Sequence, residues 1–308
     1  MDVAPPSDRV HASDSSANAA SVLASLSRIR TERAGESVAQ LAERVAHAVE
    51  RRALRLPVMP ERVRRLRELP AAADAGVLAL AELAGGDPLL TASVTNIANS
   101  SFFAGLEPVH SLRDAIVRMG VHETRNILIG IALRSSVFRV DAFGRAVAGI
   151  WLHSLATAVS CESILCEISI ESEAGFMTGL LHDIGRVALL AELAELPAGE
   201  RPDDQIGMLS DSVHAALGAL VVETWRLPRE LGEAIRDHHA ARPSAHGMTA
   251  VLRAADQMAH CFGDTSEALA FGAGDLEHQL VELGVAPGRM ALLLADARAH
   301  FDDLAKVL

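Results

Sequence analysis

Five imidazoles and two carboxylates stand along this chain in an order that suggests chemistry: His153, then His182 beside Asp183, then His214, His238, His239 and Asp256. Brought together, imidazole nitrogens and carboxylate oxygens can hold one or two divalent metals. Fe, Mn, Zn and similar ions all suit that mixture, and residue types alone do not choose among them. The functional question is whether the seven converge. Each is weak on its own. A lone His on a helix is more often a packed or surface residue, and His238-His239 could simply sit at a helix end and interact with its dipole. Asp256 could be a surface charge. The order is what carries weight, because each member or pair falls on its own expected helix.

Those helices follow from the pattern of apolar residues. His153 lies on a helix expected over about 147–168. His182 and Asp183 lie in the segment GLLHDIG (179–185), on a buried apolar helix expected over about 173–193. Ser210, Asp211 or Ser212 is expected to cap the helix of His214. Leu227-Pro228 opens a helix that ends at His238-His239, and a helix over about 249–261 carries Asp256. Upstream, Asp87-Pro88 reads as an N-cap and first helical position, and Ser111 caps a short helix that Gly120 ends. No sustained strand alternation appears. The chain is expected to be all-α, a multi-helix bundle.

Composition agrees. Half of the 308 residues are apolar, aromatic residues make up 3%, and Tyr is absent. Helices packed on helices suit that balance. The formal charge of −12 argues against broad nucleic-acid binding, which needs positive faces. Arg51, Arg52, Arg55, Arg62, Arg64, Arg65 and Arg67 form a local exception. They read as a solvated helix face, with a contact surface for an acidic partner as the sharper alternative. Three cysteines with no C-x-x-C pair suit a reducing cytoplasm. No secretory signal and no membrane-length stretch is expected, so the reading is a soluble cytoplasmic protein without a membrane partner.

Residues 1–20 are expected to be disordered, and residues 21–53 to form a helical arm divided near Gly35. That arm could dimerise or lie over the main domain. Leu56-Pro57-Val58-Met59-Pro60 marks the boundary between the arm and that domain.

The order His, His-Asp, His, His-His, Asp resembles the HD superfamily of metal-dependent phosphohydrolases. Several segments resemble its HDOD group, the HD-related output domain of bacterial signalling proteins. These are LPVMPERVRRLREL (56–69), DPLLTASVTNIANSSFF (87–103) with Asn99-Ser100, SLRDAIVRMGVHETRNI (111–127), WLHS (151–154), GLLHDIG, HAALGALVVETWRLP (214–228) and AIRDHH (234–239). The resemblance spans about 54–249. It implies an HD-superfamily-like core with an N-terminal helical sub-bundle: an HDOD domain over 54–250, made of a front bundle (54–134) and an HD-like bundle (147–250), which helices in 251–308 complete. After His238-His239 the chain reads AARPSAHG, without the Gly-Tyr-Pro of the related HD-GYP cyclic-dinucleotide phosphodiesterases. Arg186 stands where Lys often follows the HD motif, and Gly149 where some trinuclear relatives place Glu.

The resemblance implies that His153, His182, Asp183, His214, His238, His239 and Asp256 are the metal ligands, one or two ions in all, with Asp183 able to bridge them. Were the site active, Asp183 and Arg186 would be its catalytic groups, Arg186 as a phosphate or supporting contact, and the substrate a nucleotide or cyclic-dinucleotide phosphoester. The main expectation is a bacterial signalling protein that acts through other signalling proteins rather than mainly by turnover. A phosphohydrolase and a non-catalytic nucleotide sensor are the alternatives, and a homodimer is a further option.

Overall fold

The computed structural model describes residues 17–31, 36–70, 73–103, 105, 107–170, 172–197, 206–240, 247–262 and 273–308. Among the described residues every regular element is helical, as expected. In chain order the helices are α1 Ala17–Thr31, α2 Glu36–Glu50, α3 Glu61–Arg67, α4 Ala73–Gly85, α5 Pro88–Ala98, α6 Leu112–Met119 and α7 Val121–Ser136. A short 3-10 turn, Asp141–Phe143, then leads into α8 Gly144–Glu167. Next come α9 Gly175–Leu181, α10 Ile184–Ala194, α11 Ile206–Thr224, α12 Arg229–Asp237, α13 Met248–His260, α14 Ala273–Glu282 and α15 Met290–Ala305.

Local chemistry explains many of the boundaries. The Asp87 carboxylate accepts from the backbone N–H groups of Leu89 and Leu90, with Pro88 at the first helical position. The Ser111 hydroxyl accepts from Asp114 N. Gly120 closes α6 and opens α7 at φ +87°, a conformation that glycine alone adopts without strain.

Helices α3 to α6 pack around α7 as one group. The second group centres on α8, which buries Trp151, Leu155, Ala158 and Val159 and packs against α9, α13 and α15. Helix α10 lies on α11, α11 on α12, and α12 on α13. Helices α1 and α2 pack on each other, and α1 lies along α11, so the N-terminal arm covers this second group. Each fully buried large side chain along these contacts contributes about 1.5–3 kcal/mol.

Several expectations need correction. The single helix over 173–193 is two helices. Asp183 leaves the helical region at φ −100° and ψ 11°, and the chain restarts as α10. Residues 17–20, expected to be disordered, open α1; residues 1–16 and the expected division at Gly35 lie outside the described residues. No cap falls at Ser210, Asp211 or Ser212, because α11 already begins at Ile206. Two stretches, Asp141–Glu167 and Ile206–Thr224, are long and apolar enough to cross a membrane by length and composition. Both are mostly buried inside the fold, which explains their apolarity as packing. Three of the seven arginines of the basic run form surface pairs: Arg55 with Glu195, Arg62 with Asp87, and Arg64 with Glu61 and Glu68.

Candidate metal centre

Two glycines of GLLHDIG let the site assemble. A Cβ on Gly179 would lie 2.5 Å from Ala158 Cα, so α9 rests directly on the α8 backbone. A Cβ on Gly185 would lie 2.0 Å from His214 O, so α10 crosses α11 backbone to backbone. The break between α9 and α10 falls at this double contact, and it directs His182 and Asp183 into the space enclosed by α8, α11, α12 and α13.

All seven expected residues meet there. His153 comes from α8, His182 and Asp183 from the α9–α10 junction, His214 from the middle of α11, His238 and His239 from the end of α12, and Asp256 from α13. Ligand atoms here form three sets, each within 4.8 Å: His214, His238 and His239; His153, His182 and Asp183; and His153 and Asp256 with a further histidine, His260, so that His153 is shared by the last two. Ring centroids trace the same continuity, with His153–His182 at 5.1 Å, His182–His238 at 5.4 Å and His214–His238 at 5.3 Å.

Three of the imidazoles are pinned from behind. His182 Nδ1 lies 2.7 Å from Gly179 O, His214 Nδ1 3.0 Å from Ser210 O, and His238 Nδ1 2.5 Å from Ile235 O. A carbonyl only accepts, so each Nδ1 carries the proton and donates. Each Nε2 then presents its lone pair to the site. Burial pushes His214 down to about 4 and His238 down to about 3, which keeps both neutral. Burial also lowers His239. Burial works against the charged form of His153 as well, but its hydrogen bond to Asp256, together with the negative charges of Asp256 and Asp183, outweighs that and raises it.

The carboxylates are held ionised. Burial opposes their charge, yet His182, Arg186 and His214 hold Asp183 well below the usual carboxylate range. For Asp256 the hydrogen bond from His153 and the nearness of His182 do the same. Asp183 Oδ2 accepts from Arg186 Nε at 2.9 Å, while its Oδ1 lies 3.5 Å from His214 Nε2. Arg186 also donates to Ser210 Oγ at 3.1 Å and Asp211 Oδ1 at 2.6 Å. Its guanidinium thus orients Asp183 through Oδ2 and leaves Oδ1 for the site.

Three buried atoms at this place have no hydrogen-bond partner: Asp183 Oδ1, His214 Nε2 and His238 Nε2. Leaving such groups unpaired is costly, and a divalent cation satisfies a carboxylate oxygen and two imidazole lone pairs at once. The donor set therefore fits the metal that the sequence suggested. Beside it lies an open cleft of about 300 Å³, lined by Gly149, Ile150, His153, His182, Asp183, Arg186, His239, Asp256 and His260.

Two residues escaped the sequence reading. His260 stacks on His153 with centroids 4.7 Å apart. The signal for it was its spacing: it lies four residues after Asp256, on the same face of α13. Asp211, considered only as a helix cap, grips Arg186.

Comparison with known proteins agrees with this architecture. The HDOD domain model matches residues 56–241. A protein of Shewanella amazonensis SB2B, described as a candidate metal-dependent phosphohydrolase, superposes with a TM-score of 0.68 at 19% identity, over 86% of this chain and 98% of its own. A candidate signal transduction protein of Marinobacter aquaeolei VT8 superposes with a TM-score of 0.54 at 20% identity, over 94% of this chain and 66% of its own. At such identities the likeness speaks for the fold alone. An uncharacterised protein of Treponema pallidum (strain Nichols) is 21% identical over 199 residues, 60% of this chain, which spans only 37% of that relative's length. With the motifs, the helical core and the family match in agreement over more than half its length, the chain belongs to the HDOD domain family.

Proposed function

We propose that this chain is a bacterial signal-transduction protein whose HDOD domain carries one or two divalent metal ions and acts through other signalling proteins. His153, His182, Asp183, His214, His238, His239 and Asp256 hold the ions. The carrying observation is the trio of buried, unpartnered atoms, Asp183 Oδ1, His214 Nε2 and His238 Nε2, on side chains pinned from behind. Bound there, a divalent ion supplies Lewis acidity toward a phosphoryl oxygen. Arg186 keeps Asp183 ionised and oriented, and the buried neutral histidines keep their lone pairs free. The front bundle over 54–134, the HD-like bundle over 147–250 and the helices within 251–308 act as one HDOD unit, with a nucleotide as a candidate ligand and a homodimer as a candidate assembly. The free state of the three cysteines is consistent with a cytoplasmic setting.

A second reading, phosphoester hydrolysis, is favoured by the open cleft of about 300 Å³ that reaches His153, Asp183, Arg186 and Asp256. It has room for a phosphoryl group beside the ligands.

Elemental analysis of the purified and metal-reconstituted protein tests the metal centre. At least one equivalent is expected in the wild type, with a sharp loss in Asp183→Ala. A wild type that never retains metal would sink the proposal. Turnover of bis-p-nitrophenyl phosphate or a cyclic dinucleotide, lost in Asp183→Ala, would move the conclusion to the enzyme. Absence of turnover in a metal-loaded protein would leave the signalling reading in force.

A further inference from the structure

We infer that His260 is a metal ligand, and that His153, Asp256 and His260 form an outer metal position on the cleft, separate from the inner one around Asp183, His214, His238 and His239. The inference rests on the metal centre proposed above and extends it to a residue that the HD-type order does not contain.

The geometry begins at Asp256. Its Oδ1 is approached by His153 Nε2 at 2.9 Å and by His260 Nε2 at 3.8 Å. His182 Nε2 lies 3.7 Å from the same oxygen and 3.7 Å from Asp183 Oδ2, between the two positions. The His153 and His260 rings stack at 4.7 Å with 29° between their planes, and the Nε2 of each is the atom that approaches Asp256 Oδ1. The ligand atoms of His153, Asp256 and His260 all lie within 4.8 Å of one another.

An ordinary surface pair looks different. His278 and Glu282 are also spaced i,i+4 on one helix, at 3.5 Å, with 70% and 46% of their side chains exposed. No third ligand is grouped with them among the described residues. At the cleft the carboxylate is instead 13% exposed and a second imidazole closes on it from another helix. Two imidazoles and a carboxylate on one side of a metal leave its other side open, which suits a divalent ion that also takes oxygen ligands from solvent or substrate. Space for those ligands exists. Gly149, one turn before His153, lines the same cleft, and a Cβ built on it meets nothing within 4 Å. A helix position that could have carried a ligand from α8 is bare, and His260 supplies one from α13.

The inner position does not depend on His260, so the two are separable. Its ligands sit at the α9–α10 junction, on α11 and after α12; His214 and His238 are pinned by backbone carbonyls of their own helices and Asp183 by Arg186, none of them through His260.

Binding of Mn(II) and Co(II) to the metal-free full-length protein tests this, with stoichiometry and isotherm read for the wild type, His260→Ala and Asp183→Ala. The Co(II) absorption spectrum reports coordination at each step, with no need for activity. His260 is 67% exposed on its side chain, so its removal leaves the core intact, and an unchanged thermal unfolding curve verifies that. Two classes of site are expected in the wild type. His260→Ala should lose one equivalent, or bind it at least about 10-fold more weakly, with the other class unchanged. Asp183→Ala should lose the class that His260→Ala keeps. A wild type with one equivalent, or a His260→Ala protein with the wild-type isotherm, overturns the outer position while the inner centre stands. A wild type that binds no metal overturns both.

Discussion

The two helical groups of this molecule use polar side chains in the same way up to a point, and then diverge. Around α7, several polar side chains spend their hydrogen bonds on the backbone of neighbouring segments. Arg125, only 6% exposed, donates to Leu69 O, Pro70 O and Glu173. Asn99 exchanges two hydrogen bonds with the backbone of Val109, and Thr124 caps back onto Gly120 O. Around α8, three histidines, His182, His214 and His238, are also pinned to carbonyls, but each turns a second nitrogen into a shared space. Pinning in the first group ties chain segments together. In the second it preorganises lone pairs, which lowers the cost of binding an ion later. The difference lies in the side chain: imidazole has two nitrogens on opposite edges, one for the scaffold and one for a ligand.

The strongest test of this contrast is Gly185→Ala. The added methyl would meet His214 O at 2.0 Å and Gly218 N at 2.6 Å, backbone atoms that cannot yield by a rotamer change. Separation of α10 from α11 should cost at least about 3 kcal/mol in denaturant unfolding and abolish metal retention. A stable variant that still binds metal would mean that this close approach is not what aligns His182, Asp183 and His214.

Two substitutions should then give opposite patterns. His238→Ala removes an Nε2 with no protein partner, so metal affinity should fall more than about 100-fold, beyond the effect of removing a supporting residue. Stability of the metal-free protein should fall less. Arg125→Ala should cost about 2 kcal/mol of stability, from lost charge-assisted hydrogen bonds, with metal content unchanged by elemental analysis. If Arg125→Ala also strips the metal, the two groups are coupled and the contrast fails.

The smallest effect is a pH slope in the metal-free protein. His214 and His238 have folded values near 4 and 3, below the ordinary 6.5 of the unfolded chain. Between these values the unfolded state binds more protons, so their contribution is present above about pH 6.5 and is lost on acidification toward pH 4. His153, raised, contributes in full below 6.5 and adds no opposing slope in that window. Asp183 and Asp256, lowered, lose their contribution only as the pH falls below the ordinary carboxylate range. Stability should therefore drop from pH 6.5 to 4 by up to about 1.4 kcal/mol per pH unit for each buried histidine. His214→Gln should flatten that slope, whereas Arg125→Ala should leave it unchanged.

Much of this was legible beforehand because helices announce themselves locally. Apolar periodicity, the Asp87 and Ser111 caps and the Gly120 stop depend on neighbours a few residues away, and they stand where the chain led one to expect them. The seven candidate ligands were legible from their types and order. Other features depend on partners distant in sequence. The break at Asp183 comes from α9 resting on α8 while α10 crosses α11, so an apolar run that reads as one helix becomes two. The start of α11 at Ile206 removed any capping role from Ser210 and Asp211 and directed both to Arg186. Arg186 in turn leaves one Asp183 oxygen for the site.

By itself, then, the sequence determined the helical character and the family and put forward the candidate ligands, since each is written in residue identity and short-range spacing. Only the tertiary structure decided which nitrogen each histidine offers, which oxygen of Asp183 is free, and that His260 stands against Asp256 and His153. Those are matters of distance between segments that can lie 103 residues apart. They are settled where glycines let helix backbones touch.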